Sequence, residues 1–183
     1  ADRGIMADIN KVFSVLKKPK DDYLPVLKTC KNLLVCPQFM REKIVYHIDK
    51  EIEEAKAGRH AEMIIKANSV SDRLLIEKLY EASQAGVKIE LLIRGICAVQ
   101  PGIKGVSENI TVKSILGRFL EHSRIYHFIN GGDDEYWIGS ADLMGRNLDR
   151  RVESLVLIQR KEHQVRLQGL LDLGLSDETS SWH

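Results

Sequence analysis

Apolar positions recur every three to four residues in some stretches of the chain and alternate or cluster over short runs in others, and this division predicts its elements. Ile9, Val12, Phe13 and Leu16 lie at helical spacing within residues 8–17, and the charged run KKPKDDYLP that follows, with its prolines, predicts a loop. LLVC at 33–36 is a short buried strand. From Met40 to Gly58, Ile44, Ile48, Ile52 and Ala55 share one face against Glu and Lys on the other, with Gly58 where a helix stop belongs. AEMIIKAN (61–68) predicts a strand. Ser71 precedes a second helix with the stripe Leu75, Ile76, Leu79 and Ala82, closed by Gly86, and VKIELLIRG (87–95) is the next strand.

Strand, helix and strand within so short a stretch form a βαβ unit, so the two strands should be parallel neighbours joined by a right-handed crossover. Ligands of such sheets gather at the carboxyl ends of strands. Lys66 and Asn68 close the first strand and Arg94 the second, so all three belong to the functional edge. The Gly- and Pro-bearing segment 97–110 predicts a loop over that edge. ITVKSIL, SRIYHFIN, EYWIGS and VESLVLIQ read as further strands, with GGDD (131–134) the tight turn of a hairpin. Residues 161–171 predict a terminal helix, and 173–183 a flexible tail without period. The whole is one α/β domain over residues 1–183, with a mixed central sheet flanked by helices.

Composition narrows the function classes. A formal net charge of +1 over 183 residues provides no global field toward nucleic acid or an anionic membrane, so an anion site must come from local geometry. Cys30, Cys36 and Cys97 form neither a CxxC pair nor an even framework, and read as reduced, buried thiols of a cytosolic protein. No run approaches the roughly 18 apolar residues of a membrane span, and no signal peptide opens the chain, which predicts a soluble protein. The first Met stands at position 6, which suggests a piece of a longer polypeptide.

The chemistry is concentrated in residues 117–153, GRFLEHSRIYHFINGGDDEYWIGSADLMGRNLDRRVE, which carry His122, Arg118, Arg124, Arg146, Arg150, Arg151 and a GSAD step. A guanidinium fork matches phosphate oxygens two at a time, and histidine can pass a proton or accept a phosphoryl group near neutral pH. Each residue also has a structural reading. His122 could be a core histidine at a strand start, and Arg94 could cap a strand in a surface ion pair. Arg150 and Arg151 beside Asp149 and Glu153 suggest an internal ion-pair network. Asp142 and Asn147 are expected to fix the loop by backbone hydrogen bonds. PGIKGV lacks both the GxxxxGK[ST] spacing and a following helix, and the acidic residues form no dense metal cage.

This central stretch, with KANSVSDRLLIEKLYEASQAGVKIELLIRGIC before it and PGIKGVSENITV between, resembles the C-terminal domain of the bacterial polyphosphate kinases, from about Asp8 to about Ile158. That family belongs by fold to the phospholipase D superfamily, whose half-sites offer an HxK step and a downstream GS pair. Here His122-Ser123-Arg124 stands for HxK and Gly139-Ser140-Ala141-Asp142 for the GS pair, with arginine in place of lysine and a changed spacing. The resemblance implies reversible transfer of the terminal phosphate of ATP onto inorganic polyphosphate through a phosphohistidine that belongs to a preceding half. It implies Arg94, His122 and Arg151 as contacts to nucleotide phosphates and His122 as proton donor to the departing oxygen; Arg124, by residue type, and Lys66, by its place at a strand end, are further candidate phosphate ligands. Mg would arrive with ATP, its ligands outside this chain. ATP or ADP, polyphosphate and the preceding domains are the implied partners, with no nucleic acid. A homo-oligomer in the cytoplasm, with scope for peripheral attachment to the inner membrane, completes the expectation.

Two other classes stay open on the residues themselves. A homodimeric phospholipase D-like phosphodiesterase would pair two copies of His122 across an interface. A non-catalytic polyphosphate- or nucleotide-binding module would need the arginines alone.

Overall fold

The computed structural model describes residues 2–17, 23–37, 39–118 and 120–177, and the backbone of 181–182. Its elements are α1 (Arg3–Val15), α2 (Tyr23–Leu27), β1 (Leu33–Val35), α3 (Met40–Lys56), β2 (Glu62–Ala67), α4 (Arg73–Gln84) and β3 (Lys88–Ile93). After these come β4 (Ile110–Ile115), β5 (Ile125–Phe128), β6 (Glu135–Gly139), α5 (Gly145–Arg150), β7 (Ser154–Leu157), α6 (Lys161–Ser176) and β8 (Ser181–Trp182). One mixed sheet runs in the order β1-β7-β6-β5-β2-β3-β4-β8. The expected βαβ unit is present, with β2 parallel to β3 and β3 parallel to β4, while β5, β6 and β7 run antiparallel to their neighbours.

Period-two alternation along β2 and β3 gives the sheet two faces. Met63, Ile65, Ala67, Ile89, Leu91 and Ile93 join Ile44, Ile48 and Ile52 of α3 and Leu75 and Leu79 of α4 in the larger core. Ile64 and Leu92 point the other way, into a smaller core with Ile125, Tyr136 and Leu171 of α6. Lys66 and Arg94 continue the row of Ile64 and Leu92, so they stand on the α6 side at the carboxyl edge of the sheet. Glu51 ties the larger core together: its buried carboxylate accepts from Asn130 N at 2.6 Å and Glu62 N at 3.2 Å, joining the end of α3 to the start of β2.

Several sequence expectations are corrected. The first helix begins five residues before Asp8, capped by Asp2, whose Oδ1 accepts from Gly4 N and Ile5 N. In the predicted loop KKPKDDYLP, residues 18–22 lie outside the described residues, and Tyr23–Leu27 is a helix. Asp72 rather than Ser71 caps α4, accepting from Leu75 N at 3.1 Å. The GGDD segment is no tight two-residue turn. Asn130 (φ 51°), Gly131 (φ 69°) and Gly132 (φ 100°) form a wider 3-10 connection in the left-handed region.

The expected tail at 173–183 is also different. The last helix runs to Ser176, Gly174 packs against Leu92 and Ile115, and β8 pairs antiparallel with β4. The buried ammonium of Lys113 donates to Leu175 O at 2.5 Å and Asp177 O at 3.3 Å, satisfying carbonyls that a helix C-terminus leaves open. Residues 178–180 and 183 lie outside the described residues. Among the described residues, no helix is long and apolar enough to cross a membrane.

Candidate phosphate-binding site

At the carboxyl edge of β2 and β3, a hydrogen-bonded relay starts at Arg94. Its Nε donates to Asn68 Oδ1 at 2.6 Å. Asn68 in turn donates to Asp142, through its backbone N to Oδ1 at 2.7 Å and through Nδ2 to Oδ2 at 3.0 Å. Asp142 also accepts from Arg124 Nε at 3.3 Å and Nη2 at 3.1 Å, and Arg124 Nη1 reaches His122 Nδ1 at 3.2 Å and donates to His122 O at 3.0 Å. One carboxylate thus holds both ends of the constellation.

The electrostatics follow from that crowding. Burial pushes the Asp142 carboxyl up, but bonds from Arg124 and Asn68 outweigh it and hold the group below the usual carboxylate range. Arg124 has only donors, so His122 Nδ1 must be an acceptor, and the proton of the neutral ring sits on Nε2. His122 is itself exposed, so that Nε2–H belongs to the open side of the site.

Beside Arg94 lies Lys66, whose side chain is 9% exposed and whose ammonium meets Glu121 at 3.0 Å. Lys66, Ala67, Leu92, Arg94, Ile115 and Glu121 line one small cleft. Glu121 also accepts from Ser123 Oγ at 2.7 Å, and this bond, opposed by burial and aided by Lys66, lowers its pKa. A carboxylate therefore sits at Lys66 where an anionic ligand would.

The GSAD step owes its glycine to sheet packing. A Cβ at Gly139 would run into the carbonyl oxygen of Ser154 and the Cα of Leu155 on β7, so only glycine lets β6 lie this close. The loop after it returns to the βαβ unit, with Leu143 O accepting from Ser71 N at 2.8 Å and Asp72 N at 2.9 Å. That places Asp142 beneath Asn68.

Arg94, Lys66, Asn68, Arg124 and His122 are brought together, although Arg124 spends most of its donors on Asp142 and His122. Arg151 is not joined to them: its side chain is 57% exposed and, among the described residues, meets only Glu153, at 3.9 Å. The expected network of Arg150 and Arg151 with Asp149 is replaced in part by Arg41 of α3, which donates to Asp149 at 2.5 and 2.9 Å and to Asp72 at 3.2 and 2.8 Å. Arg41 was not legible as a site-supporting residue, because its partners are 31 and 108 positions away. Asp142 does fix the loop through a backbone bond, as expected, and binds Arg124 besides.

The family model for "Polyphosphate kinase C-terminal domain 2" matches residues 33–183. The chain belongs to the polyphosphate kinase family. The polyphosphate kinase of Streptomyces coelicolor is 52% identical over 156 residues, covering 85% of this chain and 21% of that protein. The crystal structure of polyphosphate kinase from Porphyromonas gingivalis superposes with a TM-score of 0.90 at 35% identity, covering 99% of this chain and 27% of that one. The phospholipase D family member Nuc from Salmonella typhimurium shares the fold at a TM-score of 0.56 and 12% identity, over 78% of this chain and 91% of that one. The chain spans about a quarter of the length of the polyphosphate kinases it matches.

Proposed function

We propose that this chain supplies the C-terminal part of a polyphosphate kinase active site, which transfers the terminal phosphate of ATP reversibly to inorganic polyphosphate. The observation that carries the reading is the Arg94–Asn68–Asp142–Arg124–His122 relay within a family-matched domain. Phosphoryl transfer is largely positioning and electrostatic stabilisation, so its residues must be held rather than mobile. Among the described residues Arg94 is held through Nε, which leaves both Nη groups to fork a phosphate. His122, with its proton on Nε2 and Nδ1 facing Arg124, gives a hydrogen bond to the departing oxygen rather than a proton. Lys66 receives phosphate when Glu121 yields, and Arg151 closes on the nucleotide from the exposed side.

The phosphorylated histidine belongs to a preceding half of the longer enzyme, as do the remaining partners. Magnesium enters as part of the substrate, on the ATP phosphates. The reaction is cytoplasmic. Engagement of Arg124 by Asp142 and His122 counts against the phosphodiesterase alternative, whose motif lysine needs to face substrate.

The test is a chimera in which this chain replaces its counterpart in the Streptomyces coelicolor relative. ATP formation from ADP and polyphosphate is expected, with Arg94→Ala lowering turnover about 10³-fold and His122→Ala about 10²- to 10³-fold. A chimera that folds and turns over normally with either substitution would remove the proposed roles.

A further inference from the structure

A second cleft, sharing no residue with that at Lys66 and Arg94, opens between α3 and the β1–β7–β6 end of the sheet, with a volume of about 360 Å³. Lys28, Lys31, Lys43 and Lys50 surround it, and Lys43, Tyr46, His47 and Lys50 present one α3 face at i, i+3, i+4 and i+7. Lys28 meets the exposed Glu42 at 3.4 Å, while no carboxylate of the described residues comes within salt-bridge distance of Lys31, Lys43 or Lys50. The acid in the wall is Glu135, bonded by Trp137 Nε1 at 3.0 Å, and burial pushes its pKa up. His47 adds a second signal: its side chain is 5% exposed, its Nε2 is 3.6 Å from Glu135, and its Nδ1 has no hydrogen-bond partner among the described residues.

The aromatic groups decide the class of ligand. Single-stranded nucleic acids need free ring faces on which bases stack. Here Lys43 and Lys50 lie 4.9 and 5.1 Å from the Tyr46 centroid, and His47 is stacked on Phe128 at 4.9 Å. Trp137 is 3% exposed. Ammonium groups act as point charges, and seven residues of helix separate Lys43 from Lys50 by about 10 Å along the axis. A single phosphate would touch one of them, whereas a condensed phosphate chain has charge along its whole length and no base to stack.

We propose that this cleft is a second binding site for inorganic polyphosphate, which holds a stretch of the polymer away from the Arg94–His122 cluster. The inference rests on the polyphosphate reading of the first site. It is tested without turnover, so the two can fail separately.

Trp137 lies in the wall and reports occupancy by its fluorescence once Trp182→Phe removes the other tryptophan of the chain. Medium-length polyphosphate, orthophosphate and a single-stranded oligonucleotide of matched charge are titrated into the 183-residue chain, with circular dichroism to check folding of each variant. Polyphosphate is expected to saturate the signal at concentrations where orthophosphate and oligonucleotide do not. Lys43→Gln with Lys50→Gln should weaken binding about tenfold and flatten its salt dependence. Lys43→Arg with Lys50→Arg should restore it, and Arg94→Ala should leave it unchanged. Loss of the Trp137 signal in Arg94→Ala, no change in the glutamine pair, or equal binding of the oligonucleotide would each overturn the proposal. If the chimera makes no ATP but this titration behaves as described, the catalytic reading falls and the cleft assignment stands.

Discussion

Replacing Asp142 with asparagine keeps the shape of the residue and removes its charge, and the geometry says what must follow. The carboxylate is 9% exposed and accepts from Asn68 N, Asn68 Nδ2, Arg124 Nε and Arg124 Nη2 at 2.7 to 3.3 Å. In Asp142→Asn one oxygen still accepts from Asn68 N and Arg124 Nε. The new NH₂ then faces the donors Asn68 Nδ2 and Arg124 Nη2, so two bonds become donor–donor contacts. Arg124, itself only 12% exposed, loses its counterion. Breaking a buried pair from one side costs about 3 to 5 kcal/mol, and we expect about 3 kcal/mol because His122 O still accepts from Arg124. For a domain of this size that corresponds to a fall in Tm of roughly 6 to 12 °C.

Urea unfolding of Asp142→Asn, Arg124→Gln and the double variant measures the coupling directly. Removing Arg124 as well takes away the stranded charge, so the double variant should lose at least about 1 kcal/mol less than the sum of the singles. Additivity within about 0.5 kcal/mol would refute the view that the two residues act as one buried unit.

Three further outcomes follow from the same structure. Burial, with Lys43 and Lys50 nearby, lowers the His47 pKa to about 4. Because the folded value lies below the ordinary 6.5, stability is full above pH 6.5 and falls by about 3 kcal/mol as pH drops toward 4; His47→Phe should flatten that slope, and an unchanged slope in chemical denaturation would contradict it. Gly139→Ala forces a methyl group into the Ser154 carbonyl and should cost about 2 kcal/mol or more, read as a lowered urea midpoint. Glu121→Gln removes the carboxylate paired with Lys66 and should lower the KM of the chimera for ATP about threefold, as suits a half-exposed pair; a raised KM would count against Lys66 as a phosphate ligand.

The elements were legible where one periodicity dominates. The stripe Ile44, Ile48 and Ile52 announces itself because α3 buries one face against the sheet, and the strands around α4 do so as short apolar runs buried on both faces. The carboxyl edge carrying Lys66, Asn68 and Arg94 followed from the βαβ rule alone. What sequence could not provide was pairing at a distance. Asp142 and Asn68 are 74 positions apart, and Arg41 and Asp149 are 108 apart, so neither contact leaves a local trace. The tail misled for a similar reason: its segment lacks an apolar period, and order comes from Lys113 accepting the role of cap and from pairing with β4. Arg124 was read as a phosphate ligand from residue type, whereas its guanidinium is engaged by the Asp142 carboxylate and the His122 carbonyl of its own fold.

The central claim is that Arg94 and His122 act on one anion. A double-substitution cycle in the chimera, with Arg94→Ala, His122→Ala and both together, measures it through kcat/KM for ADP and polyphosphate. Two groups that share one transition state should give a double variant no more than about tenfold worse than the poorer single. Losses that multiply, each substitution costing its full factor in the presence of the other, would show that the two residues serve separate events.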